Sequence, residues 1–322
     1  MNGQLPSPAG FHHLTAVSAD IRANRHFYTD TLGLRLVKRS VNQDDTSAYH
    51  LFYADKNGTP GTDITFFDWP APPERRGGRS ITRTGFRVKN ADALAFWEQR
   101  FSERGVKQSG IGERDGRPCL DFEDGEGQRL SLVPDDGSGP PAVPWEDSPI
   151  PVDMQLRGLA AVTITVPAPG GTDLLLRHVL GMEKSRDYPG PAGSDEHVHV
   201  YSMGDGGLHG ELHVATNPGL APARPGAGGV HHVAFRLKTD EDYAAWAQHL
   251  NRAGIPNSGK ADRFWFRSLY FRDPSGILFE LATDGPGFTV DEAPETLGEK
   301  LILPPFLEGE RREIEAGLKD ID

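Results

Sequence analysis

One structural unit occurs four times along this chain, and this repetition restricts the possible folds more than any other feature of the sequence. Each copy has a short apolar strand, an amphipathic helix, a glycine and then further strands. The first strands cover residues 11–17, 81–88, 157–166 and 230–237, and the helices lie near 20–31, 90–103, 171–180 and 240–252. The pattern predicts an α+β protein built from four βαβββ units.

The ends of the predicted helices carry the residue types that usually begin and end helices. The positions after the last helical residues are glycines, which adopt the left-handed conformation without strain: Gly33, Gly105, Gly181 and Gly254. The positions expected to cap the helix starts are Asp20, Asn90 and Asp240. These residues fix the limits of the units.

A segment rich in proline and glycine divides the chain near its middle, at residues 134–154. We therefore predict an N-terminal domain at 1–133 from the first two units and a C-terminal domain at 155–284 from the last two. Residues 285–322 are expected to form a C-terminal tail, in which the charged stretch 307–318 is compatible with a helix.

The charge and hydropathy of the chain exclude several classes of partner. The formal net charge is −12, from 34 basic and 46 acidic residues, which argues against nucleic acid and anionic membranes. The chain begins without a basic and apolar leader, and no segment approaches the roughly 18 apolar residues of a membrane-spanning helix. With a single cysteine, no intramolecular disulfide can form. We expect a cytoplasmic protein.

A pair of histidines starts two of the four units, as His12-His13 and as His231-His232. Side chains alternate between the two faces of a strand, so His13 and His232 lie on the face away from the helix. Glu280, inside an apolar strand, lies on the same face. Alternation places His12 and His231 on the opposite face unless a β-bulge intervenes.

Two imidazoles and one carboxylate bind a divalent metal and leave coordination positions open. A carboxylate within an apolar strand also needs a partner, which could be an arginine or a metal. The corresponding positions of the other units hold Ala161, Arg83 and Ser131, and the first unit ends in residues 65–67 without a carboxylate. The chain can therefore build one three-ligand site.

The paired βαβββ units, with histidine near the start of a unit and glutamate in its last strand, resemble the vicinal oxygen chelate superfamily. Over nearly the whole chain, the sequence is similar to the hydroquinone-cleaving ring dioxygenases, which include the dichlorohydroquinone 1,2-dioxygenases and methylhydroquinone-type enzymes. The stretches that carry this resemblance are Leu34–Lys38, Tyr49–Asp55, Gly58–Thr62 and Gly285–Phe288.

The resemblance implies four modules paired into two vicinal-oxygen-chelate domains and an enzyme that inserts O2 into a hydroquinone-type or catechol-type ring. It implies Fe(II), or Mn(II), bound by His13, His232 and Glu280. Its second-sphere residues fall on His12, Thr15, His231, Arg263 and Tyr270. Alternation in strand 267–272 also turns Tyr270 toward the site. The partners would be a small aromatic substrate and O2, and the sequence is compatible with a homo-oligomer.

Two other functions remain open on the same scaffold. A glyoxalase-type isomerase usually has a second carboxylate ligand, which serves as the base, and Ser131 and the pair Phe66-Phe67 argue against it. A non-enzymatic protein that binds an aromatic ligand is typically a shorter chain of two units without the three ligands.

Overall fold

The computed structural model describes residues 5–191 and 193–321, which contain the four predicted units in order. The first unit comprises β1 (Phe11–Ser18), α1 (Ile21–His26), β2 (Arg35–Asn42), β3 (Asp45–Ala54) and β4 (Asp63–Asp68). The second comprises β5 (Ser80–Val88), α2 (Ala91–Glu103), β6 (Gln108–Arg114), β7 (Arg117–Glu123) and β8 (Arg129–Pro134). The third comprises β9 (Leu159–Val166), α3 (Gly170–Leu174), β10 (Glu183–Pro189), β11 (His197–Ser202) and β12 (Glu211–Thr216). The fourth comprises β13 (Val230–Leu237), α4 (Asp240–Arg252), β14 (Ala261–Asp262), β15 (Arg267–Arg272) and β16 (Leu278–Thr283).

The helix ends follow the sequence with one exception. The side chains of Asp20 and Asn90 accept hydrogen bonds from the first turns of α1 and α2, as expected of N-caps. The cap of α4 is Thr239, and the prediction of Asp240 was wrong. Thr239 is extended and forms a reciprocal capping box with Asp242, whereas Asp240 is already helical. The carboxylate of Asp240 lies in the first turn of the helix, where a negative charge interacts favourably with the helix dipole.

The strands form two curled sheets of eight strands each, which confirms the predicted α+β class. One sheet has the order β14-β15-β16-β13-β1-β4-β3-β2, and the other has the order β10-β11-β12-β9-β5-β8-β7-β6. In each sheet the first strands of two units pair antiparallel at the centre, β1 with β13 and β5 with β9. The first sheet thus joins units one and four, and the second joins units two and three.

This pairing differs from the sequence analysis, which grouped neighbouring units along the chain. The two connections between the sheets, β4 to β5 and β12 to β13, run side by side through the bridges Pro73–Ala227, Arg75–Arg224 and Gly78–Pro222. Because both connections cross together, β1 satisfies its free edge with β13 instead of β5. The division of the chain at 1–133, 134–154, 155–284 and 285–322 stays a prediction.

A large apolar core lies between the helices and the sheet faces that they cover. Val233, Phe235 and Leu237, predicted to lie under a helix, are all buried there, together with Trp246 of α4. Burial of such side chains contributes about 1.5–3 kcal/mol each. None of the described helices is both long and apolar enough to cross a membrane.

The C-terminal segment packs against the other face of the first sheet. Its last helix, α5 (Arg311–Gly317), lies inside the predicted charged stretch. Lys38 of β2 is fully buried, and its ammonium donates to Asp291 Oδ1 at 2.7 Å and to the carboxylate of Glu292. The indole nitrogen of Trp265 donates to Asp291 Oδ2 at 2.8 Å. The tail therefore closes the sheet face that carries His13 and His232.

Candidate metal centre

Two β-bulges bring both histidine pairs to the centre of the first sheet. Across β1 and β13, Phe11 pairs with Phe235 and the next pair is His13 with Ala234, so His12 is the extra residue of one bulge. A second register shift leaves His231 as the extra residue on β13. A bulge re-aims side chains locally. The β-bulges that His12 and His231 need in order to lie near the site are therefore present.

The side chains of His13, His232 and Glu280 converge on one point from three neighbouring strands. Glu280 Oε2 lies 3.2 Å from His13 Nε2 and 2.9 Å from His232 Nε2. The two Nε2 atoms are 3.4 Å apart. All three residues are buried, with at most 3% of their surface exposed. The ligand set selected from strand alternation is thus assembled in space.

The carboxylate of Glu280 lacks the donors that a buried charge requires. Neither of its oxygen atoms has a hydrogen-bond partner among the described residues, although both imidazoles are in contact with it. The contacts are close, but they do not have the geometry of hydrogen bonds. An unsatisfied buried carboxylate is costly, whereas a cation between the three side chains would satisfy it. The donor set fits a divalent metal.

Hydrogen bonds behind the triad indicate which imidazole nitrogen faces the centre. His12 Nε2 donates to the carbonyl of Thr283 at 3.0 Å, which leaves His12 Nδ1 to accept from His13 Nδ1 at 2.9 Å. With its proton on Nδ1, His13 presents the lone pair of Nε2 to the centre. His231 Nδ1 lies 2.8 Å from His232 Nδ1 in the same arrangement. Such outer partners orient metal-binding histidines.

Burial and neighbouring charges shift the pKa values of two triad residues, His232 and Glu280, and of the flanking His12. Burial lowers the pKa of His12 to about 3, with the charge of His13 as the next cause, and burial also lowers the pKa of His232. Burial raises the pKa of Glu280, but His13 and His232 together hold it well below its ordinary value. A neutral His232 beside an anionic Glu280 is ready to bind a metal without first losing a proton.

Three further predicted residues lie around the triad. Tyr270 pairs with Glu280 across β15 and β16, and its ring packs edge-on against His232 with centroids 5.7 Å apart. The guanidinium of Arg263 lies 5.4 Å from the Tyr270 ring and binds both oxygens of Asp44, at 3.1 and 2.8 Å. Burial and the charge of Glu280 raise the pKa of Tyr270, so its hydroxyl keeps its proton. Thr15 is buried and does not line the cavity beside the triad.

A narrow cavity of about 40 Å³ opens beside the triad and has mainly aromatic walls. Its lining residues are His13, Asn42, Gln43, Asp44, His50, Phe52, Phe67, His232, Arg263, Trp265, Phe266 and Tyr270. The aromatic rings among these lining residues suit a planar aromatic ligand.

The sequence analysis missed His50 as a site residue. Its Nε2 lies 2.9 Å from Thr65 Oγ1, which in turn lies 2.8 Å from Thr15 Oγ1. The imidazole packs against Phe52 and Phe67, with ring centroids 4.0 and 4.5 Å away. Burial holds the pKa of His50 well below its ordinary value. A histidine among the apolar and aromatic residues 48–54, in the second half of β3, was the signal available in the sequence.

Two other clusters of the described residues bring three metal-binding side chains together. One, made of Asp187, His197 and His199, lies on the surface of the hairpin β10–β11. The other contains His213 and two carboxylates, of which Glu211 accepts hydrogen bonds from Arg186 and Arg117. The triad around Glu280 differs from both because it combines full burial with unsatisfied oxygen atoms.

Comparisons with known proteins agree with this fold. A family model described as the Glyoxalase/Bleomycin resistance protein/Dioxygenase superfamily matches residues 10–132 and 175–281. A Bacillus subtilis (strain 168) protein provisionally named ring-cleaving dioxygenase MhqA is 46% identical, over 97% of this chain and 98% of its own. A chlorohydroquinone/hydroquinone 1,2-dioxygenase of Sphingobium indicum is 30% identical over 98% of both chains. The crystal structure of a B. subtilis protein, provisionally described as a dioxygenase, superposes with a TM-score of 0.89 at 34% identity and covers 98% of each chain.

Proposed function

The chain belongs to the Glyoxalase/Bleomycin resistance protein/Dioxygenase superfamily, and within it we propose that the protein is an Fe(II)-dependent dioxygenase that cleaves a hydroquinone-type ring. One observation carries the proposal. A buried and unsatisfied His13–His232–Glu280 triad adjoins a cavity with aromatic walls. The names of the relatives, which are ring-cleaving dioxygenases, support the same activity.

In this proposal His13, His232 and Glu280 hold the metal, which is Fe(II) or, as a substitute, Mn(II). When bound, the metal supplies open positions for a phenolate oxygen and for O2, and a path for electrons between them. The two flanking histidines orient the ligands. His12 is buried with both ring nitrogens engaged, whereas His231 is exposed, so His231 is the one with access to solvent for proton transfer.

Other residues of the cavity would bind the ring and manage its protons. Phe52, Trp265 and Phe266 exclude water and hold the substrate ring between apolar surfaces. Tyr270 donates its hydroxyl hydrogen bond to the reacting oxygen, and Arg263 adds a fixed positive charge beside it. The ring nitrogen of His50 that is not bonded to Thr65 is available to the far hydroxyl of the substrate.

The test is oxygen uptake by the protein loaded anaerobically with Fe(II). We expect a higher kcat/KM with hydroquinone or methylhydroquinone than with catechol, one O2 consumed per ring, and an acyclic acid as the product. A para-hydroquinone can bind the metal through one phenolate oxygen, whereas a catechol can bind it through two adjacent oxygens. Equal or better turnover of catechol, with a yellow semialdehyde product, would assign the protein to the catechol-cleaving enzymes instead.

A matched pair of variants separates this proposal from an isomerase and from a simple binding protein. Glu280→Gln is expected to abolish O2 uptake, and Glu211→Gln, which changes a buried carboxylate of the other sheet, is expected to retain it. Among the described residues, no second carboxylate joins the triad, which disfavours a glyoxalase-type isomerase. Ligand binding without any O2 uptake in the iron-loaded protein would favour the binding protein.

A further inference from the structure

The second sheet repeats the register of the candidate metal centre but carries different side chains. Arg83 pairs with Thr163 across β5 and β9, as His232 pairs with Thr15 across β13 and β1. Likewise Asp121 faces Ser131 on β7 and β8 where Tyr270 faces Glu280 in the first sheet. A guanidinium therefore occupies the position that a metal-binding imidazole occupies in the other half of the molecule.

The positive charge at this position is not balanced by its neighbours. Arg83 Nη2 lies 3.4 Å from Asp121 Oδ2. The same carboxylate is bound by both terminal nitrogens of Arg114, at 3.1 Å to Oδ1 and by a closer contact to Oδ2. Two guanidinium groups thus share one carboxylate, and one positive charge is left over in a protein whose net charge is −12.

The adjacent charged residues do not supply the missing anion, because they balance one another. Arg186 donates to Glu211 at 2.8 and 2.7 Å and also binds Asp115. Arg117 donates to Glu211 at 2.8 Å. His213, whose pKa is lowered by burial, stays neutral beside them. Two guanidinium groups and two carboxylates form a neutral network that leaves the surplus charge at Arg83.

The guanidinium of Arg83 also has an unused donor. Its Nε is buried and has no hydrogen-bond partner among the described residues. Burial lowers the pKa of Arg83, and the charge of Arg114 lowers it further. A partly buried cation whose Nε–H is buried without a partner is costly, and an anion in contact with it would remove both penalties.

There is room for such an anion. A cavity of about 30 Å³ lies beside Arg83. Its other lining residues are the small or apolar Gly85, Cys119, Ser131, Val133, Ala161 and Leu208, the polar Thr163 and His213, and the charged Arg114, Asp115 and Arg117. It adjoins an open groove of about 670 Å³ whose lining includes Thr82, Thr163, Thr165, Tyr188 and Leu220, the cation Arg129 and the carboxylates Glu113, Asp115 and Glu196. A charged head could reach Arg83 while a larger organic body stays in the groove.

We propose that the second sheet binds a small organic carboxylate, with the guanidinium of Arg83 as its principal partner. The planar fork of an arginine matches the two oxygens of a carboxylate. One surplus positive charge is neutralised by a monoanion, whereas a dianion would meet the negative charge of Asp121. A divalent metal is disfavoured because Arg83 replaces a ligand and repels cations. The site is separate from the triad and does not depend on the proposed ring cleavage.

Benzoate is the probe, and its binding to the metal-loaded protein is measured by calorimetry, with inorganic phosphate and Mn(II) as alternative ligands. We expect saturable benzoate binding with a dissociation constant in the millimolar range or below, and weaker binding of phosphate. Arg83→Met should weaken benzoate binding by about 30-fold, the scale for loss of a charged partner that is hydrogen-bonded to the ligand. Arg83→Lys should retain part of the affinity. The matched control is Arg177→Met, because Arg177 is an exposed arginine of the third unit.

Each result either supports or overturns this site. Unchanged benzoate binding in Arg83→Met would place the ligand elsewhere, for example at the triad. Benzoate binding too weak to detect in the wild type would exclude the site. Tighter binding of phosphate than of benzoate would overturn the assignment of a carboxylate as the ligand. Binding of Mn(II) that is lost in Glu211→Gln would indicate that this site binds a metal instead. If Arg83→Met folds poorly, the NMR signal of the Arg83 Nε–H in the wild-type protein provides a second measurement. Its chemical shift must change when benzoate is added.

Discussion

Replacement of Glu280 by glutamine is expected to have opposite effects on the stability of the metal-free protein and on metal binding. Glu280 is fully buried, and neither carboxylate oxygen has a hydrogen-bond partner among the described residues. Glutamine has nearly the same volume, carries no charge and can donate from its amide to an imidazole Nε2. The metal-free variant should therefore be more stable than the wild type.

The size of the expected gain in stability follows from the two carboxylate oxygens of Glu280 that have no hydrogen-bond partner among the described residues. Each buried polar atom without a partner costs about 1–3 kcal/mol, and charged groups cost more. We expect Glu280→Gln to raise the free energy of unfolding of the metal-free protein by about 1–3 kcal/mol. Metal at a hundred times its dissociation constant stabilises the wild type by about 2.7 kcal/mol. The variant should lose most of that increment because it lacks the anionic ligand.

Glu211→Gln is a matched control in the other sheet. Glu211 is also buried, but Arg117, Arg186 and His213 all donate to it or contact it closely. Removal of one partner from a buried ion pair typically costs about 3–5 kcal/mol. The control should therefore be destabilised and should keep its response to metal.

Both variants are measured by urea unfolding, with and without Fe(II) or Mn(II) under anaerobic conditions. The reasoning would be refuted if Glu280→Gln destabilised the metal-free protein by several kcal/mol, as Glu211→Gln should. That result would mean that Glu280 forms a structural ion pair with protonated histidines, and that the triad is not a metal site.

Three further predictions concern neighbouring residues. Tyr270→Phe should leave metal content unchanged and lower kcat by roughly 10²-fold, the scale for a lost proton donor; oxygen uptake at the wild-type rate would show that Tyr270 only fills space. Lys38→Met should lower the free energy of unfolding by about 3–5 kcal/mol, since it leaves Asp291 and Glu292 without their buried cation; a change below 1 kcal/mol in urea unfolding would contradict this. The folded-state pKa of His12 is lowered to about 3, so its contribution to stability is complete above about pH 6.5 and is lost as the pH falls toward 3. His232 and His50 also have lowered pKa values and add to the slope of unfolding free energy across that range, so His12→Gln should reduce the slope by up to about 1.4 kcal/mol per pH unit.

The convergence of the three candidate ligands was predictable because strand alternation is a strict geometric rule. Once the strands were located, the alternation of side chains placed His13, His232 and Glu280 on the same face of the sheet. The helix-side core was predictable for the same reason, as Val233 and Phe235 show. The class of fold followed from the repeated unit.

The remaining features depend on long-range contacts that no local pattern encodes. The bulges at His12 and His231 exist only because β1 and β13 pair with a particular register. The pairing of units one and four depends on two connections that run together between the sheets. Likewise, the sequence around Lys38 does not indicate that the C-terminal tail provides its carboxylate partners.

The pairing of β1 with β13 has a consequence for biosynthesis. The central partner of the first strand to leave the ribosome is Val230–Leu237, which belongs to the last unit to be made. At roughly 5–20 residues per second, β1 waits roughly 10–45 s for it. During that interval the exposed edge of the first unit is available to other chains, while units two and three can already form their own sheet. The half of the molecule that holds the triad is thus the half most in need of a chaperone.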